Sequence, residues 1–226
     1  MELYIVRRIL KDKMEICMKN WNEKLAHNDL TVGILGLGYV GLPLAREFAS
    51  ANISTLGFDI DMKKVKVLNS GKSIIKNVPH CEVKQMVSSG RFSATSDMSR
   101  IAEVDAVLIC VPTPLTENRE PDMAYVISSC ETIAQYLQRG QLIALESTTY
   151  PGTSRDLMRP ILERKGLKAG QDFHLAYSPE REDPGNKHFT TRTIPKVVSG
   201  LTPTCTKIAT KLYEKAIETI VPVSSL

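Results

Sequence analysis

From Leu30 onward, short runs of β-branched and other apolar residues alternate with helical patterns, and polar residues hardly interrupt the runs. Strands are expected at TVGIL (31–35), STLGFD (54–59), RFSAT (91–95), DAVLICV (105–111), LIALES (142–147), FHLAY (173–177), PKVVSG (195–200) and TIVPV (219–223). Helices are expected over 40–51, 61–69, 81–88, 122–138, 153–165 and 203–216. Nearly continuous apolar strands are strands buried on both faces. Joined by helices, they predict an α/β fold, a doubly wound and mostly parallel Rossmann-like sheet. In such a sheet ligands bind outside the carboxyl ends of the strands, at the point where strand order reverses.

Ahead of this alternation, Leu3, Val6, Leu10, Met14, Cys17, Trp21 and Leu25 recur at steps of three and four, the spacing of one helix face. The reading is an N-terminal helical extension over 1–29, followed by one domain over 30–226. A chain of 226 residues, 42% hydrophobic and 24% charged, buries a sizeable core and is ordinary for a soluble globular protein. The net charge of +4 is scattered, without the basic runs and interleaved aromatics that track nucleic acid, so no nucleic-acid partner is expected.

No apolar run approaches the roughly 18 to 20 residues of a membrane span, and MELYIVRRILKDK introduces charge too early for a signal peptide. A cytoplasmic location without a membrane partner is expected. The cysteines at 17, 81, 110, 130 and 205 are odd in number and lack CxxC spacing, and the histidines at 27, 80, 174 and 188 lie far apart, so neither a disulfide framework nor a metal site is suggested. Cys110 and Cys130 sit in apolar surroundings and read as small core hydrophobes.

Behind the first strand comes GLGYVG, with Gly36, Gly38 and Gly41 in the GxGxxG pattern and a helix opening after it. The first glycine permits the tight turn, the second lets a pyrophosphate approach the backbone, and the third lets helix and strand pack closely. The exposed N–H groups and the helix dipole favour an anion there. The second strand ends at Asp59, near the spacing of about 20 residues expected for the acid that binds the adenosine ribose. A carboxylate at that place accepts hydrogen bonds from both ribose hydroxyls and repels a 2′-phosphate. At about 4 Å and an effective dielectric of about 20 that repulsion amounts to about 4 kcal/mol, which selects NAD over NADP. Lys63 and Lys64 temper the repulsion, and FAD, which uses a similar fingerprint, is the alternative for this half.

Three more strand ends carry polar signatures: CVPTPL (110–115), ESTTYPGT (146–153) and YSPEREDPGN (177–186). Together with GLGYVGLPLA and GFDID they resemble the nucleotide-sugar 6-dehydrogenase family, which includes the UDP-glucose and GDP-mannose dehydrogenases. The form SPEREDPGN is similar to the branch that acts on UDP-N-acetylhexosamines such as UDP-N-acetylglucosamine. The resemblance implies oxidation of the sugar C6 hydroxyl to a carboxylate with two NAD, in the service of polysaccharide biosynthesis. It also implies cofactor contacts at Gly36, Gly38, Tyr39, Val40, Gly41, Asp59, Lys64, Val111, Thr113 and Thr148.

By the same resemblance, Thr148 helps hold the water or sugar oxygen near the nicotinamide, and Glu180 assists hydrolysis of a covalent thioester. A carboxylate within reach of a water is a suitable general base. Capping of the next helix is the other reading of Thr148, and a surface turn is the other reading of SPEREDPGN. Arg181 is taken as a contact for polar groups of the substrate.

Family members run to about twice this length, with a second α/β domain whose GGHCIP-like motif bears the nucleophilic cysteine. None of the five cysteines here has that setting. The expectation is therefore the N-terminal domain of a two-domain dehydrogenase, inactive by itself, with a homodimer only for the full-length protein. The other readings are a portion of a UDP-glucose 6-dehydrogenase and a non-catalytic NAD-binding or interaction module.

Overall fold

The computed structural model describes residues 20–180 and 190–226. The first helical residues described, 20–27 (α1), lead into β1 (Thr31–Leu35), α2 (Gly41–Ser50), β2 (Ser54–Phe58), α3 (Met62–Asn69), α4 (His80–Ser88) and β3 (Phe92–Thr95). The second half runs β4 (Ala106–Ile109), α5 (Ala124–Tyr136), β5 (Leu142–Leu145), α6 (Arg159–Leu162), β6 (His174–Tyr177), β7 (Lys196–Gly200), α7 (Pro203–Tyr213) and β8 (Ile220–Pro222). The strands form one eight-stranded sheet in the order β3-β2-β1-β4-β5-β6-β7-β8. Its ladders are parallel except between β6 and β7, where Ala176 faces Gly200 and Tyr177 faces Ser199 in antiparallel register. This is the doubly wound, mostly parallel α/β sheet expected from the apolar runs.

Strand order turns at β1, which lies between β2 and β4. The crevice beyond the carboxyl ends of β1 and β4 is therefore the switch point where such sheets bind ligands. Period-2 alternation sorts side chains into two cores. Val32, Ile34, Ala106, Leu108, Leu142, Ala144, Ala176 and Val198 join Phe48 of α2 and Ile208, Leu212 and Tyr213 of α7 on one face. Leu35, Val107, Ile109, Ile143, Leu145 and Leu175 join Val126, Cys130 and Ile133 of α5 and Ile161 and Leu162 of α6 on the other. Cys110 and Cys130 are buried, as their settings suggested.

Residues 1–19 of the expected N-terminal helix lie outside the described residues. The helix end that is described packs firmly. Trp21 and Leu25 enter the first core, Trp21 Nε1 donates to Gly140 O at 3.0 Å, and Lys24 pairs with Asp105 at 2.6 Å.

The helix expected over 153–165 is instead three joined pieces: a π-helical stretch Thr153–Met158, the single α-turn of α6, and a 3-10 turn Glu163–Lys165. The widened first stretch follows Gly152, whose φ of 90° no side-chain-bearing residue adopts cheaply. A further 3-10 turn, Met98–Glu103, is held by Asp97, which accepts from Ser99 N at 3.0 Å. It was not foreseen, because its apolar residues are too few to set a period.

His174, at the start of β6, is 3% exposed, and burial pushes its pKa down to about 4; its Nδ1 lies 3.7 Å from Cys205 Sγ. An unfolded chain titrates its histidines near 6.5, so the unfolded state takes up this proton first as pH falls. The contribution of neutral His174 is complete above pH about 6.5 and drains away toward pH about 4, by up to about 3 kcal/mol. Urea midpoints measured between pH 7 and pH 4.5 are expected to fall more steeply for the native chain than for His174→Gln. Parallel curves would show that His174 is protonated in the fold without cost.

Candidate functional site

The loop from β1 to α2 is shaped by its glycines. Gly36 has φ 97°, and a Cβ there would sit 2.8 Å from Cys110 O. A Cβ at Gly41 would lie 1.9 Å from Gly36 O and 2.9 Å from Ile34 Cγ2, so the opening turn of α2 packs against the loop with no room for a side chain. At Gly38 the opposite holds: nothing lies within 4 Å of an added Cβ. The loop thus offers bare backbone to its outer side. α2 has no side-chain cap at Val40, and Tyr39 beside it is 57% exposed; since Leu42 N donates to Gly38 O at 3.1 Å and Pro43 carries no N–H, it is the backbone of the loop up to Gly41 that faces outward without a competing side-chain acceptor.

Asp59 follows β2 and is 8% exposed. Its Oδ2 accepts from Leu37 N at 3.2 Å and its Oδ1 from Asp61 N at 2.9 Å, which holds the carboxylate beside the glycine loop. Each carboxylate oxygen keeps a further acceptor position, enough for a vicinal diol. Lys64 Nζ stands 3.8 Å from Asp59 Oδ2, so the basic residue read as a cofactor contact is the neighbour of Asp59. Gly57 in β2 was missed from sequence: a Cβ there would strike the Leu37 side chain at 2.7 Å, and its absence lets the loop lie on the sheet.

The ends of β4, β5 and β6 are stitched together alongside. Thr113 Oγ1 donates to Thr148 O at 2.8 Å, and Ser147 Oγ donates to Val111 O at 2.6 Å. Glu180 N donates to Glu146 O at 3.0 Å. Gly36, Val111, Thr113, Thr148 and Glu180 therefore share the carboxyl edge of the sheet, with Asp59 beside the loop. Thr148 does not cap the next helix, since that position belongs to Gly152. Arg181 lies outside the described residues, as does the rest of SPEREDPGN past Glu180.

Behind this edge sits a buried cluster that sequence reading passed over. Glu146 is 0% exposed; its Oε2 meets Lys196 Nζ at 2.6 Å, and Tyr213 donates its hydroxyl to Oε1. Burial, and after it the charge of Glu146, hold the Tyr213 hydroxyl well above the usual range; burial and then the same carboxylate do likewise for the Cys110 thiol. Cys110 is thus inert, not nucleophilic. The available signal was an acid closing the apolar run LIALE and a lysine opening KVVSG.

A glycine loop at a helix start, an acid at the end of the second strand and a switch-point crevice define a dinucleotide-binding domain of the Rossmann type, and bare backbone at Gly38 with an anchored Asp59 fits NAD. The model of the NAD-binding domain of the UDP-glucose/GDP-mannose dehydrogenase family matches residues 30–217, and the chain belongs to that family. It is 36% identical over 190 residues to UDP-N-acetyl-D-glucosamine 6-dehydrogenase of Pseudomonas aeruginosa, covering 84% of this chain and 44% of that protein. It is 33% identical over 190 residues to UDP-N-acetyl-D-mannosamine dehydrogenase of Pyrococcus horikoshii, covering 84% and 45%.

Among solved structures, an NDP-N-acetyl-D-galactosaminuronic acid dehydrogenase from Methanosarcina mazei Go1 superposes with a TM-score of 0.79 at 34% identity, covering 90% of this chain and 46% of that one. The chain spans less than half the length of these relatives. The cofactor of the matched domain is NAD, and its class is oxidoreductase. Among the described residues no helix is long and apolar enough to cross a membrane.

Proposed function

We propose that this chain is the NAD-binding portion of an enzyme that oxidises C6 of a UDP-N-acetylhexosamine to the uronate, using two NAD. The observation that carries the reading is the meeting of the glycine loop, Asp59, Thr113, Thr148 and Glu180 at one edge of a sheet whose family is that of nucleotide-sugar dehydrogenases. Relatives named for UDP-N-acetylglucosamine and UDP-N-acetylmannosamine support the N-acetylhexosamine branch, as does SPEREDPGN.

In this reading the backbone of Gly36, Gly38, Tyr39, Val40 and Gly41 receives the pyrophosphate, Asp59 the adenosine ribose, with Lys64 beside it, and Val111, Thr113 and Thr148 the nicotinamide side. Thr148 also holds the reacting oxygen, Glu180 serves as general base in the closing hydrolysis, and Arg181 meets the substrate. Residues 30–226 form the NAD-binding domain and 1–29 the helical extension. The uronate is released only when these residues work with a second half that supplies a nucleophilic cysteine, since a thioester needs a positioned thiolate. The full-length enzyme is a cytoplasmic homodimer.

Calorimetric titration of residues 1–226 with both dinucleotides tests the cofactor half. NAD is expected to bind more tightly than NADP, because the Asp59 carboxylate repels a 2′-phosphate and Lys64, 45% exposed, offsets this only in part. Asp59→Ala is expected to weaken NAD by roughly 1 to 3 kcal/mol, the range for a lost hydrogen bond to a charged group. Equal affinities, or tighter NADP, would remove Asp59 from the ribose.

A further inference from the structure

None of Glu146, Lys196 and Tyr213 is assigned a contact with NAD, yet their cluster sits directly behind the strand ends that bear Thr148 and Glu180. Alternation along the strands explains how it comes together. Ala144 of β5 and Val198 of β7 point into the core beneath α7, so Glu146 and Lys196, two residues along each chain, face the same way and meet below Tyr213. The Lys196 ammonium also lies 5.1 Å from the centre of the Tyr213 ring. A buried ion pair is poor evidence for stability, because desolvation offsets most of the attraction and an apolar replacement of similar volume is often as stable. In some proteins such a pair serves instead to specify one geometry.

The geometry it fixes is that of the proposed reaction site. Glu146 holds Lys196 and Tyr213 through its carboxylate, while its carbonyl accepts the N–H of Glu180 and its own N–H reaches Ile109 O at 2.9 Å. The next residue, Ser147, ties to Val111, and Thr148 accepts from Thr113. The paired register between β6 and β7 ends at Tyr177 and Ser199, and beyond it the chain is held by Ser178 Oγ to Val197 O at 2.8 Å and by the Glu180 N–H. Continued by three residues, the same register would bring Lys196 opposite Glu180.

We propose that Glu146 and Lys196 are positioning residues: their buried ion pair pins the end of β5 to β7, and so fixes where Thr148 and Glu180 leave the sheet. The inference rests on the functional reading above for the importance of those two residues, but not for the pinning itself.

Amide hydrogen exchange on residues 1–226, read residue by residue, tests it. In Lys196→Met the amides of Ser178 and Glu180 are expected to exchange about 10-fold faster or more through local opening, while those of Val32 to Leu35 in β1 keep their protection. Lys196→Arg, which restores the cation, is expected to recover most of the lost protection. The double variant Glu146→Gln with Lys196→Met buries no net charge; it is expected to unfold at nearly the native temperature and still exchange faster at 178 and 180. That double variant decides the matter should Lys196→Met fail to fold.

Unchanged exchange at 178 and 180, a uniform rise across the sheet, or no recovery in Lys196→Arg would overturn the proposal. NAD affinity, measured on the same samples, is expected to fall by no more than about 10-fold, since the glycine loop and Asp59 are untouched while Thr148 and Val111 lie at the pinned strand end; a loss without faster exchange at 178 and 180 would show that the pair serves the cofactor site instead. A native chain that binds no NAD would defeat the functional reading and leave the exchange result to decide the pinning.

Discussion

Gly41→Ala is expected to lower the melting temperature sharply and to abolish useful NAD binding, whereas Gly38→Ala leaves the fold intact and loses only the cofactor. The two glycines stand three residues apart in one loop, but their surroundings are opposite. A methyl at 41 would overlap Gly36 O at 1.9 Å and crowd Ile34 Cγ2 at 2.9 Å, and a backbone oxygen in a tight turn has nowhere to retreat. Overpacking of this kind costs about 3 kcal/mol or more, against at most about 1 kcal/mol regained from the better helix propensity of alanine. A net loss of about 2 to 3 kcal/mol lowers the melting temperature of a chain this size by about 4 to 12 °C.

At 38 a methyl meets no protein atom within 4 Å, so the melting temperature should stay within about 2 °C of native. In the proposed function that space receives the pyrophosphate. Obstructing hydrogen bonds to a charged group there is worth about 1 to 3 kcal/mol, so the NAD dissociation constant should rise about 10-fold or more. Thermal melts and calorimetry of both variants check this together. A Gly38→Ala chain that binds NAD normally would show that the loop does not carry the cofactor.

Glu180→Gln is expected to slow thioester hydrolysis about 100-fold or more in a protein that joins these residues to the C-terminal half of a matched relative, the loss expected for a general base. NAD binding should change little, because Glu180 leaves the sheet at the end of β6 while the glycine loop follows β1. Covalent adduct should then accumulate on the cysteine of the other half and be visible by mass spectrometry. The isolated chain of residues 1–226 should release no uronate under the same conditions. A Glu180→Gln enzyme that turns over normally would return SPEREDPGN to the role of a surface turn. Steady NADH production by residues 1–226 alone would move the chemistry to other side chains.

How much of this was legible in the chain itself depends on the distance between interacting residues. The apolar runs that become β1, β2, β4, β5 and β6, and the glycine pattern with Asp59 behind it, are short-range features: a two-residue alternation, a 3.6-residue period, a fixed count from loop to acid. Each is complete within a few residues or one βαβ unit, so the parallel sheet, its switch point and the cofactor could be read before any coordinates.

The rest required the fold. Glu146 reads as the polar end of a strand until Lys196, 50 residues on, and Tyr213, 67 residues on, are brought against it. The reversal of β7 rests on its pairing with β6, and nothing in the alternation of KVVSG tells an antiparallel neighbour from a parallel one. Thr153 to Leu162 has the periodicity of an ordinary helix, and nothing in that periodicity separates the π-helical Thr153–Met158, which follows Gly152 at φ 90°, from the α-turn behind it. Propensity and pattern are properties of neighbours along the chain; the pairing of buried charges and the direction of a strand are set by what folding brings to them from elsewhere.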